Sequence, residues 1–362
     1  MKHGLGKASI RLTEPVSVIA SASIVGTKEG QGPLGALFDK VGKEDHFGAA
    51  TWEEAESNLQ REALAEALKK AQLRPEEIRF LFAGDLLGQS IASSFGLVDF
   101  GIATLGLYGA CSTCGEALTL GAMSIAGGFA ERVACVTSSH FASAEREFRF
   151  PLEYGNQRPL SASWTVTGAA AFLLQGSRSG QARAEGKASA DEHVLMEENG
   201  SAGKIRAKIC GMTVGRIMDF GIKDSMNMGA CMAPAAADTL LRHLEDWGRS
   251  PEAYDQIVTG DLGRVGKEAF LDLMRRKGMD LSERHLDCGM LIYDLERQDV
   301  HAGGSGCGCC AVTLSAYLLK QLEEGFWKRI LFLPTGALLS KTSYNEGKTV
   351  PAICHAVVLE AP

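Results

Sequence analysis

Apolar positions along the chain fall into two kinds of stretch. One kind repeats at helical spacing and keeps a wet face. Thr51-Trp-Glu-Glu54 opens such a stretch: the Thr51 hydroxyl can accept the Glu54 amide, and the Glu54 carboxylate can answer. Leu59, Ala63, Leu64, Ala67 and Leu68 then share one face to about Ala71. The other kind is apolar nearly all round. Residues 112–126 have no polar face, which predicts a buried helix; Gly127-Gly128 stops it, and residues 132–137 read as the buried strand that follows. Short apolar runs at 17–23, 78–83, 257–260, 330–333 and 352–359 read as further strands, and 214–220 is strand-like. Helices are expected over 91–98, 235–247 and 269–277, and a hairpin turn over 176–186. Strands alternating with helices predict an α/β fold with buried sheets.

The pattern occurs twice. Tyr108-Gly-Ala-Cys-Ser-Thr-Cys-Gly leads through an apolar helix to Gly128-Phe-Ala-Glu-Arg-Val. Cys307-Gly-Cys-Cys-Ala-Val-Thr-Leu leads in the same way to Gly325-Phe-Trp-Lys-Arg-Ile. Upstream, Gly84-Asp-Leu86 is echoed by Gly260-Asp-Leu262. Two echoes in the same order predict a duplicated unit of about 180 residues. The halves are drawn as 1–180, carrying Cys111, and 181–362, the second with one insertion between Asp261 and Cys307.

Composition narrows the function. A chain of 362 residues with 45% hydrophobic and 22% charged positions is an ordinary globular protein. A net charge of −7 argues against nucleic acid, which needs clustered Lys and Arg. No apolar run reaches 18 residues, and Met1-Lys-His-Gly-Leu-Gly lacks the apolar core of a signal peptide. A soluble protein with ten reduced cysteines is therefore expected.

Candidate chemistry gathers at the two helix starts. Cys111, at the mouth of a buried helix, is either a pocket thiol or a small buried residue; the partial positive charge of the helix end should lower its pKa. Cys111 with Cys114, and Cys307 with Cys309 and Cys310, have zinc-like spacing, but their small apolar neighbours favour turns over metal knuckles. Gly303-Gly304-Ser305-Gly-Cys-Gly308 offers free amides to an anion, or serves as a tight turn where the halves touch.

A duplicated α/β half in which Ala110-Cys111 opens a central helix resembles the thiolase and ketoacyl-synthase superfamily. That resemblance implies two duplicated halves in a layered helix-sheet-helix-sheet-helix arrangement. A narrower set of motifs closely resembles the stage V sporulation protein AD family of endospore-forming bacteria. These are Gly84-Asp-Leu-Leu-Gly-Gln89, Leu107-Tyr-Gly-Ala-Cys-Ser-Thr113, Glu153-Tyr-Gly-Asn-Gln-Arg-Pro159, Trp164-Thr-Val-Thr-Gly168, Asn227-Met-Gly-Ala-Cys-Met-Ala-Pro234 and Ala302-Gly-Gly-Ser-Gly-Cys-Gly308.

The narrower resemblance implies a protein that binds dipicolinic acid, pyridine-2,6-dicarboxylate, alone or with Ca²⁺ as part of the ligand. It implies no other cofactor, and membrane proteins of the same spore uptake system as partners. It places the chain at the periphery of the spore inner membrane, and the superfamily implies a homodimer. The ligand is expected at Cys111, under the loops 148–158 and 303–307. Arg149 and Arg158 would hold its carboxylates, or belong to a solvated loop neutralised by Glu145, Glu147 and Glu153. His140 and His301 are candidate donors, Trp164 a stacking surface or a core aromatic, and Gly303, Gly304 and Ser305 the anion loop. Active condensing enzymes place a His at the start of the second-half helix. Met232 takes that place in the alignment of motifs, and Met cannot shuttle a proton. A non-catalytic binder is therefore expected, with a Cys111-dependent acyltransferase acting on coenzyme A thioesters as the alternative.

Overall fold

Strand β1 (Ser9–Val25) is the seam of the molecule. In the computed structural model, which describes residues 3–148, 158–177 and 204–362, it stands fifth from one end of a ten-strand path. The others, in chain order, are β2 (Phe80–Gly84), β3 (Thr104–Leu107), β4 (Arg132–Ser139), β5 (Gly168–Gly176), β6 (Ala207–Thr213), β7 (Gln256–Thr259), β8 (His285–Asp287), β9 (Arg329–Leu333) and β10 (Ala356–Glu360). Their spatial order is β8-β7-β9-β10-β6-β1-β5-β4-β2-β3.

The first five and the last five share one topology. In each set the second strand pairs parallel with the third and fourth, and the fifth runs antiparallel to the fourth and the first. The sets join where β1 pairs antiparallel with β6, with a register shift between Arg11 and Val16. The boundary drawn at 180/181 lies outside the described residues.

Side-chain alternation along the strands sorts the core into layers. The helices used below are α1 (Trp52–Ala71), α2 (Ile91–Leu97), α3 (Thr113–Ala126), α4 (Phe141–Phe148), α5 (Met228–Trp247), α6 (Gly263–Arg275) and α7 (Cys307–Thr313). On β2, Leu81 and Ala83 pack with Leu64 and Leu68 of α1, whereas Phe82 joins Leu118 of α3. On β9, Leu331 and Leu333 pack with α5 and α6, whereas Ile330 and Phe332 join Val312 of α7. Helices α3 and α7 thus lie between the two sets of strands, and α1, α5 and α6 cover the outside. This is the expected helix-sheet-helix-sheet-helix layering.

Local expectations fare unevenly. The capping box is present: Glu54 N–H reaches Thr51 Oγ1 at 3.2 Å, and Thr51 N–H reaches Glu54 Oε2 at 3.2 Å. Helix α3 runs almost as expected, but it is not buried all round. Leu120 and Met123 are 37% and 40% exposed, with no element among the described residues covering that side. Helix α5 begins seven residues before the expected start at 235. Asn227 caps it by accepting the Ala230 amide, and Pro234 is accommodated within its early turns. The strand expected over 214–220 instead ends at Thr213, and beyond it only Met218 bridges to Ala352. Most of the hairpin expected over 176–186 lies outside the described residues. The second central helix passes through a π-helical turn at Leu314–Leu318 before ending at Glu323.

Candidate functional site

Cys111 sits in a single turn, Ala110–Ser112, that feeds α3. Three local bonds shape the turn. Gly109 N–H donates to Thr113 Oγ1 at 3.1 Å, Ser112 Oγ to the Gly109 carbonyl at 2.7 Å, and Thr113 Oγ1 to the Ala110 carbonyl at 2.7 Å. Ala110 is held at φ +50°, a left-handed conformation that costs a residue with a Cβ about 1–2 kcal/mol. The second half braces the turn from behind. A Cβ on Gly336 would lie 2.5 Å from the Gly109 carbonyl oxygen and 2.9 Å from the Ser112 nitrogen, so only glycine fits there.

A cavity of about 230 Å³ opens on Cys111. Its walls are mainly apolar, from Leu86, Tyr108, Met228 and Leu339, with hydroxyls from Thr165, Ser305 and Ser340. Among the described residues, no Lys, Arg, His, Asp or Glu lines it.

Behind the thiol stands Asp261, from the turn after β7. Its Oδ2 accepts the Gly306 amide at 2.9 Å. The contact between the thiol and this carboxyl falls short of a well-formed hydrogen bond, which leaves Oδ1 without a partner. Asp287 fixes the turn. Its carboxylate accepts the Leu262 amide at 2.8 Å, the Gly263 amide at 3.0 Å and the Thr259 hydroxyl at 2.7 Å. Burial, with the Asp287 charge adding, pushes Asp261 up to about 8. Burial, with the Asp261 charge adding, pushes the Cys111 thiol well above its ordinary value. The expectation of a lowered thiol pKa is thereby reversed. A helix end contributes about 0.3–1 kcal/mol to an anion, whereas removing a charge from water costs several.

The second half repeats the pairing in crossed form. Cys307 starts α7, and its thiol donates to the Ser138 carbonyl at 2.8 Å. The carboxyls whose charge it feels are Glu56 and Asp85, from the first half, and Asp261 from the second. Leu86 and Ala144 pack over it, and it is fully buried.

The structure divides the expected site residues among several places. Cys111 and Ser305 line the cavity. Gly303 and Gly304 do not: Gly304–Ser305 pairs in parallel with Trp164–Thr165, and the Gly303 carbonyl accepts the Trp164 amide at 2.8 Å. Thr165 turns into the cavity, so Trp164, its neighbour on the strand, turns away. The Trp164 ring stacks on Phe141 at 5.3 Å and carries the Lys28 ammonium at 4.2 Å and the Arg158 guanidinium at 4.7 Å. Arg158 and His301 both reach Asp299 Oδ1, at 3.0 and 3.1 Å. His140 is fully buried with both nitrogens engaged: Nε2 donates to the Asp45 carbonyl at 2.7 Å, and Nδ1 accepts the Ala142 amide at 3.1 Å. Burial lowers its pKa.

Met232 is 1% exposed in the core outside β9 and β10, while Met228, one turn earlier, reaches the cavity. The residue that faces Cys111 from the second half is therefore Asp261, not Met232. Arg149 lies outside the described residues. Asp261, Gly306 and Gly336 were not singled out as site residues. Asp261 had a sequence signal in the Gly84-Asp-Leu86 echo, and Gly306 lay within the glycine loop; Gly336 had none. Among the described residues, no three His, Cys, Asp or Glu side chains group as metal ligands, and the ten cysteines are free thiols.

Comparison with known proteins agrees with this geometry. The family profile described as stage V sporulation protein AD matches residues 6–360. The chain is 40% identical over 355 residues to stage V sporulation protein AD of Bacillus subtilis (strain 168), covering 98% of this chain and 97% of that protein. Its fold is similar to that of human mitochondrial 3-ketoacyl-CoA thiolase in complex with CoA. There the TM-score is 0.59 at 14% identity, covering 99% of this chain and 100% of that one. For 3-oxoacyl-[acyl-carrier-protein] synthase III from Aquifex aeolicus VF5 the TM-score is 0.53 at 15% identity, covering 95% and 99%. At these identities the two structures speak to the fold alone.

Proposed function

The chain belongs to the stage V sporulation protein AD family, and from that premise we propose that it is a non-catalytic thiolase-fold protein binding dipicolinic acid, alone or with Ca²⁺, for uptake into the developing spore. One observation carries the non-catalytic part. The group opposite Cys111 is a carboxyl whose pKa is pushed up to about 8, in a place where acyl transfer needs a base. Burial, with the Asp261 charge adding, raises the Cys111 thiol, which disfavours the thiolate that would attack a thioester. The cavity suits a small flat acid, with apolar walls at Leu86, Met228 and Leu339 for a ring and hydroxyls at Thr165, Ser305 and Ser340 for its polar edge.

The partners follow from the same premise. Among the described residues no helix is long and apolar enough to cross a membrane, and membrane proteins of the uptake system would carry the acid across. A homodimer would form along β3. That strand ends the sheet, and Phe95, Val98 and Leu105 beside it are 63%, 65% and 51% exposed.

The test is calorimetric titration with pyridine-2,6-dicarboxylate, with and without Ca²⁺, against the 3,5-isomer. Saturable binding of the 2,6-isomer alone, lost in Ser305→Leu, is the expected result. A folded protein that binds neither isomer would sink the reading.

A further inference from the structure

Away from the cavity, one buried cation is only half satisfied. The Arg158 side chain is 2% exposed, yet among the described residues its Nε and Nη1 have no hydrogen-bond partner. Its Nη2 donates to the Asp299 carbonyl at 3.3 Å and meets Asp299 Oδ1 at 3.0 Å. The Lys28 ammonium donates to the same carbonyl at 3.1 Å. Two cations therefore converge on one neutral oxygen, both resting on the Trp164 ring. The carboxylate that serves Arg158 belongs to Asp299, whose side chain is 64% exposed. Glu29 and Asp45 also face Lys28, but neither reaches Arg158.

A purely structural ion pair does not look like this. A buried guanidinium left with unpaired N–H groups costs several kcal/mol, and structural pairs avoid it by enclosing both partners. Here the anion is the exposed, movable member, and the cation is the fixed one. Packing on Trp164 orients the guanidinium and holds Lys28 next to it. Such a preorganised cationic pair is built to receive an oxyanion, and Asp299 fills the place of one.

We propose that Lys28 and Arg158, laid on Trp164, form a second ligand site that captures the carboxylate of a small acid by displacing the Asp299 side chain. The site lies on the opposite side of the Trp164–Thr165 strand from the Cys111 cavity and stands independently of the cavity reading. A carboxylate in the place of the Asp299 side chain would meet the Arg158 Nη2 edge beside the Lys28 ammonium. The His301 Nε2, now 3.1 Å from Asp299 Oδ1, would be released or would follow the exchange.

Trp164 supplies the readout. Benzoate, a planar monocarboxylate, is titrated at low salt while tryptophan emission is followed, with Trp164→Phe as the blank. A saturable change that disappears in Trp164→Phe is expected. Lys28→Met, at a half-buried position whose loss leaves the core intact, should weaken the response about tenfold, and so should Arg158→Gln. Asp299→Asn removes the internal competitor and should tighten binding several-fold, the reverse of what loss of a structural pair would do. Absence of any response at Trp164, or an Asp299→Asn variant that binds no more tightly than the parent, overturns the site. Ser305→Leu separates the two proposals: it should abolish binding in the cavity and leave the benzoate response unchanged.

Discussion

The Cys111 thiol, from the first half of the chain, is faced by the Asp261 carboxyl of the second. This pairing predicts an inert thiol. Incubation with acetyl-CoA or malonyl-CoA at pH 7 should leave no acyl adduct on Cys111 by mass spectrometry; a stable adduct would restore the acyltransferase alternative. At pH 8.5, where the Asp261 carboxyl is ionised, Asp261→Asn removes a neighbouring negative charge that helps raise the thiol, so iodoacetamide should modify Cys111 about tenfold faster in that variant.

Met228 and Met232 sit one turn apart on α5 and should behave oppositely. Met232→Ala empties a fully packed position and should cost about 2–5 kcal/mol in urea denaturation while leaving ligand affinity unchanged. Met228→Ala should cost about 1 kcal/mol or less and weaken pyridine-2,6-dicarboxylate severalfold, because Met228 forms the cavity wall. Loss of affinity in Met232→Ala alone would return that residue to the site.

Stability should fall as pH rises from 6.5 to 8.5. Burial first of all pushes Glu29 up to about 7 and Glu56 and Asp261 up to about 8, from ordinary values of 4.5, 4.5 and 3.8. A raised carboxyl stabilises the fold fully below its unfolded value and stops doing so as pH passes its folded one. His243 and His285, both lowered to about 3 chiefly by burial, act in the other direction, but only below their unfolded value of 6.5. The window above 6.5 therefore excludes the histidines, and toward 8.5 the buried thiols, raised by burial, add a loss of the same sign. Each acid should contribute up to about 1.4 kcal/mol per pH unit while it holds its proton. Urea midpoints at pH 6.5, 7.5 and 8.5 test this, and Glu29→Gln should flatten the slope.

Leu105 tests the dimer. Leu105→Asp places a charge in the middle of the exposed β3 edge, where only a partner strand would object. Sedimentation should show the parent as a dimer and the variant as a monomer with its melting temperature within a few degrees. A parent that sediments as a monomer at micromolar concentration removes the expectation.

Gly336→Ala should destabilise by about 1–3 kcal/mol, since its new methyl would press on the Gly109 carbonyl at 2.5 Å. The same change should disturb the Cys111 turn, which iodoacetamide reactivity at Cys111 would report.

Much of the frame was legible because its signals are local. The Thr51 capping box, the glycine stop after α3 and the apolar strands around Val133 and Ile330 each declare themselves within a dozen residues. Strand β6 was missed because Ala-Lys-Ile-Cys-Gly-Met-Thr mixes Lys and Gly into a run that only its two neighbours make into a strand. The early start of α5 was hidden by Pro234, which reads as a helix boundary. Within the site, Cys111 and Ser305 were legible from the helix start and the glycine loop. Asp261 was visible as a repeat but not as a partner, because the contact depends on how two halves dock. Arg158 was placed at the cavity as a bidentate partner for carboxylates and Trp164 as a stacking surface; strand alternation sends Trp164 to the other side, and Arg158 rests on its ring.

The crossed pairing has a genetic consequence. Cys111 is faced by an aspartate encoded in the other half of the gene, so neither half can carry a working copy of the site by itself. Residue changes need not be shared between the copies, however, because each pair is encoded separately. The chain shows what that freedom allows. Around Cys111 the chain keeps a cavity of about 230 Å³, whereas Cys307 is fully buried beneath Leu86 and Ala144, which also line that cavity.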